Sequence, residues 1–88
     1  MLEITLNARE MALLKQWLRR GEADEEFHQL LTALDTLLND NSGVMKLPDP
    51  ILQRIQARAA DRKFPTHQGL LNAMFARSLG DKLKPVQG

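Results

Sequence analysis

Arg54, Arg58, Arg62 and Lys63 are the residues whose type and spacing most suggest a chemical role in this chain. Arginines four apart stack along one face of a helix. Their guanidinium forks match the oxygens of phosphates and carboxylates. Gln53 and Gln56 flank the ridge. In its plainest reading the ridge is a solvated face, or is paired with Asp24, Glu25 and Glu26. The alternatives are an acidic protein partner or nucleic acid. Asn72 and Arg77, on the outward side of a later helix, are the two further candidates for partner contact.

Catalytic and metal chemistry have little to work with. His28 and His67 are the only histidines, and there is no cysteine to form a disulfide, a thiolate metal site or a cysteine nucleophile. The chain contains no nucleophile-elbow glycines, no phosphate-binding loop and no histidine pair at metal spacing. His28 stands one turn from Asp24 and Glu25, so two or three ligands could converge there. A stable metal site wants about four, and acids at a helix start are explained by the helix dipole. His67, beside Thr66 at a helix start, is expected to be exposed. No catalytic, cofactor-binding or metal residue is assigned, and an enzyme is not expected.

These side chains need elements to hold them. Leu2, Ile4 and Leu6 alternate with polar residues, the period of a short strand over 2–6. Asn7 and Glu10 form a capping-box pair for a helix running to Arg20 and ending at Gly21. Met11, Leu14 and Leu18 share its inner face, with Leu13 and Trp17 beside them. Asp24 caps a second helix, on which Phe27, Leu30, Leu31, Leu34, Leu37 and Leu38 give the clearest helical period in the chain. Asn39 to Gly43 is a turn, and residues 44–47 could pair with 2–6 as a two-stranded ribbon. Asp49 as N-cap and Pro50 at N1 open a third helix that turns Ile51, Leu52, Ile55 and Ala59 inward. Thr66 caps a fourth, ending at Gly80, with Leu70, Leu71, Met74, Phe75 and Leu79 as its apolar face. The expected fold is mainly α: a compact bundle of four short helices with a small ribbon. Residues 1–80 form the domain and 81–88 a flexible tail.

Eighty-eight residues make one domain. A chain of this length buries roughly 60–65% of its unfolded surface, enough for one modest core and not for a deep substrate cavity. No apolar run approaches the roughly 18 residues of a membrane span. The first residues lack the basic start and apolar stretch of a signal peptide, so a cytoplasmic location without membrane contact is expected. The net charge is only +1, but it is unevenly spread. Residues 1–50 hold five basic and nine acidic residues, a net −4; residues 51–88 hold seven and two, a net +5. The halves could attract each other within one monomer or across a dimer, or the basic half could face an acidic partner.

The third and fourth helices, joined by the short break Phe64-Pro65-Thr66, invite comparison with a helix-turn-helix. A recognition helix needs several polar side chains for base edges, and the outward side of the fourth helix offers only Asn72 and Arg77 among Gly69, Ala73 and Ala76. Those three small residues form a smooth strip that would seat a neighbouring helix within the domain or, between chains, make a homodimer contact. Trp17 and Met11 are expected in the core, with an exposed binding anchor as the alternative.

The stretch Gln68-Gly69-Leu70-Leu71-Asn72-Ala73-Met74-Phe75-Ala76-Arg77-Ser78-Leu79-Gly80, with Phe27-His28-Gln29-Leu30-Leu31 before it, resembles short proteins of bacteria, their phages and mobile elements that end in Phe-x-Arg-x-Leu-Gly. Gly69 stands alone where that pattern has paired glycines. The resemblance implies a mobile-element accessory protein, a regulator or inhibitor that works by binding. The expected function is a non-enzymatic interaction protein acting on a protein partner, with a homodimer as an option. A nucleic-acid-binding regulator using the basic third and fourth helices is the alternative. No cofactor is expected.

Overall fold

The computed structural model describes residues 1–21 and 24–84. The elements run β1 (Leu2–Thr5), α1 (Ala8–Arg20), α2 (Glu25–Leu37), β2 (Val44–Leu47), α3 (Asp49–Ala60) and α4 (Pro65–Leu79), closed by a 3-10 turn at Gly80–Leu83. This is the mainly α bundle with a small ribbon that the hydrophobic periods predict. No described helix is long and apolar enough to cross a membrane.

The helix ends follow local chemistry. Asn7 accepts from the Glu10 amide at 2.9 Å, and the Glu10 carboxylate accepts from the Asn7 amide at 2.8 Å. This is the reciprocal capping box, and it satisfies amides that have no partner within the helix. Gly21 ends α1 in the left-handed region at φ 66°. Asp24 caps α2 by accepting from the Phe27 amide at 2.7 Å.

Two helices start earlier than the capping signals predict, α3 by one residue and α4 by two. Asp49 is already inside α3 and Pro48 is its N-cap. Likewise α4 begins at Pro65 after Phe64, and Thr66 makes no capping bond. Pro65 has no amide to leave unsatisfied, and its fixed φ suits a first helical turn.

β1 and β2 pair antiparallel with Leu2 opposite Leu47 and Thr5 opposite Val44. Ile4, Met45 and Leu47 face inward while Glu3, Thr5 and Lys46 face out. The ribbon packs on α2 and α4, which supplies the support that a two-stranded ribbon lacks alone. Gly43 turns the chain into β2 at φ 78°, where an added Cβ would lie 2.2 Å from the Leu6 carbonyl oxygen.

α1 packs against α2 and α4, and α3 against α4 and α2. Phe27 and Phe75 are the largest fully buried side chains of the core, and Trp17 joins them there. The ordered chain continues past residue 80, where the tail was expected to begin. Leu83 is buried against the core, and the Gln56 amide donates to the Lys82 carbonyl at 2.6 Å. Residues 85–88 of that expected tail lie outside the described residues.

Candidate groove between the second and third helices

The expected arginine ridge is broken up in two ways. Arg58 is buried, with 8% of its side chain exposed. It lies three residues after Ile55 and seven after Ile51, which places it on the inner stripe of α3. Arg62 and Lys63 fall beyond the end of α3, in the turn that leads to Phe64. Only Arg54 remains as an exposed arginine on the helix.

Arg58 is the hub of an internal network. One guanidinium nitrogen donates to Asp24 Oδ2 at 2.8 Å and stands 3.2 Å from His67 Nδ1. The other stands 3.4 Å from Asp24 Oδ1 and 3.6 Å from Glu26 Oε2. The guanidinium also lies 4.0 Å over the Phe64 ring, close enough for a cation–π contact. The pairing with Asp24 and Glu26 is one of the arrangements the charge pattern allowed. It joins the acidic and basic halves of one chain. The guanidinium and the Phe27 amide together hold the Asp24 carboxyl below the usual carboxylate range.

His67 is buried rather than exposed. Its ring stacks on Phe27 at 4.0 Å and on Phe64 at 5.1 Å, and meets Trp17 edge-on at 5.8 Å. The offsets 67, 70, 71, 74 put it on the apolar face of α4 with Leu70, Leu71 and Met74. Burial pushes its pKa down, and the adjacent Arg58 charge adds to this against a smaller opposing pull from Asp24. An arginine can only donate, so His67 Nδ1 is the acceptor and the ring proton of the neutral imidazole sits on Nε2.

The remaining candidates lie elsewhere. Arg77 reaches back to Glu10 Oε1 at 2.7 Å and to the Thr5 carbonyl at 2.9 Å, tying the end of α4 to β1 and to the first turn of α1. Asn72 donates to the Gln68 carbonyl of its own helix. Gly69, Ala73 and Ala76 are exposed, and no described helix is seated on them: among the described residues a Cβ added at Gly69 would meet nothing within 4 Å. His28 is exposed on α2, while Asp24 is committed to the helix cap and to Arg58.

What the fold does build is an open groove of about 590 Å³ between α2 and α3. Phe27, Leu30, Ala57 and Phe64 supply its apolar lining, with Gln29 beside them. Asp24, Glu25, Glu26 and Asp61 face Arg54 and Arg58 around it, four carboxylates against two guanidiniums. Since Arg58 is spent on Asp24 and Glu26, the free character of the rim is acidic. No sequence period announces this groove, because it is lined by residues of two helices far apart in the chain. Arg54 is the one exposed member of the expected ridge that lines it. The chain matches no family model, no curated protein and no solved structure, so the reading of this groove rests on its own shape and charge.

Proposed function

We propose that this chain is a small non-enzymatic binding module whose α2–α3 groove takes a segment of another protein, in keeping with a role as regulator or inhibitor. The observation that carries the reading is the combination of an apolar floor with an acidic rim in one groove of about 590 Å³. Charge complementarity then selects the partner. The segment that fits has one or two large apolar side chains flanked by lysine or arginine. Glu25 and Asp61 meet its cations, and Arg54 sets orientation by accepting only a segment that brings an acidic or carbonyl group to its end of the groove.

A nucleic-acid partner is the poorer fit. Arg58 and Arg77 are committed to carboxylates within the chain. The exposed Arg54 shares its groove with Glu25 and Asp61, whose carboxylates repel phosphates.

A photo-crosslinking side chain placed at Ala57, inside the groove, and at Ala73, on the outer face of α4, tests the proposal in extract of the native host. Capture of one discrete protein at position 57 and not at 73, through a segment of basic and apolar residues, is the expected result. Capture only from position 73, or tight salt-sensitive binding of duplex DNA with no protein adduct, would overturn it.

A further inference from the structure

We infer that His67 is a proton-operated control on the α2–α3 groove: taking up a proton on Nδ1 expels the Arg58 guanidinium from its buried seat and remodels the groove wall. This deepens the binding reading above and rests on it for its biological use, though the device itself can be seen without any partner.

The geometry leaves little room for a charged imidazole. Arg58 is a permanent donor, so at 3.2 Å its bond to His67 exists only while Nδ1 offers a lone pair. A proton there turns an acceptor into a second donor and sets two like charges in contact inside a buried pocket. The ring is boxed in by Phe27, Phe64 and Trp17, so it has no route to swing toward water. Arg58 does have one, because it lines the open groove together with Asp24, Phe27 and Phe64.

The charged groups around the pair come from α1, the start of α2 and the turn after α3. Asp24 and Glu26 of the α2 start hold Arg58. Arg20 of α1 lies over the outer partner ring, 5.5 Å from the Trp17 centroid. Asp61, just past α3, lines the same groove. The carboxylates draw the displaced guanidinium outward along the groove wall.

The sign follows from burial. The folded chain binds a proton at His67 less readily than the unfolded chain, whose imidazole keeps its ordinary value of 6.5. The contribution of the pair is therefore complete above about pH 6.5 and declines as pH falls below it. Asp24, held below 3.8, adds a separate loss only in stronger acid.

The test is an NMR titration of the whole chain from pH 7.5 to 4.5. It follows the imidazole nitrogens of His67, the Nε of Arg58 and the methyl groups of Leu30 and Ala57, and is accompanied by thermal unfolding of the wild type, His67→Gln and His28→Gln. Expected are an Nε2–H tautomer at pH 7.5, a His67 midpoint below 6.5, and Arg58 and groove methyl signals that move at that same midpoint. The wild type and His28→Gln should lose about 5 °C of Tm between pH 7.5 and 5, a loss that His67→Gln lacks. A His67 midpoint at or above 6.5, or groove methyls that stay still while His67 titrates, would overturn the inference even if His67→Gln failed to fold. A groove that responds to pH but captures no protein would sink the binding reading and leave the device standing.

Discussion

Arg58 gathers onto one guanidinium the cap of α2, the aromatic box and the only buried histidine. Replacing it with methionine keeps most of the apolar stem but leaves His67 Nδ1 without its donor and Asp24 without its cation. Arg58→Met is expected to cost about 2 kcal/mol at pH 7 by thermal or denaturant unfolding, toward the low end for a broken internal ion pair because Asp24 is partly solvated. Arg54→Met, which touches no such network, should leave stability nearly unchanged. That contrast separates two arginines that look alike in the sequence. The spacing 54, 58, 62 suggests one ridge, but a second count, Ile51–Ile55–Arg58, places the middle residue on the inner stripe. His67 was legible in the same way, since it extends the apolar face of α4 by one turn. What the residue pattern could not supply is that Phe27, 40 positions away in the chain, would stack on that ring. Contacts of that range depend on how the helices pack.

Among the elements, the glycines give the sharpest contrast. Gly43 turns the chain where an added methyl would meet the Leu6 carbonyl at 2.2 Å, in a backbone conformation that other residues rarely adopt. Gly69 sits inside α4 with open space where its side chain would be. Gly43→Ala is expected to destabilise by about 3 kcal/mol, and Gly69→Ala to stabilise by about 0.5–1 kcal/mol, because alanine loses less backbone entropy in a helix. Equilibrium unfolding of both variants checks the pair. The helices and the ribbon were legible because each apolar period is clear and most ends carry an Asn, Asp, Gly or Pro signal. The 3-10 turn after α4 was not. A single leucine at position 83 has no period to announce it, and its burial is decided by the neighbouring α3 and α4 surfaces.

At the scale of the molecule, the charge imbalance between the two halves is partly resolved inside one chain, through Arg58 with Asp24 and Glu26 and through Arg77 with Glu10. Those contacts commit Arg58 and Arg77 of the second half to the chain's own carboxylates, and the α2–α3 groove keeps an acidic rim over an apolar floor. The surface proposed to bind is thus nearly opposite in sign to the one that the arginine spacing suggests. The most direct measurement is the affinity of the basic segment captured at position 57, made as a labelled peptide, for the wild type and for a folded Glu25→Lys/Asp61→Lys variant at low salt. If the groove works by acidic complementarity, the variant binds at least about tenfold more weakly, and the difference shrinks as salt rises. Equal or tighter binding by the charge-reversed variant would contradict the proposed role of the groove.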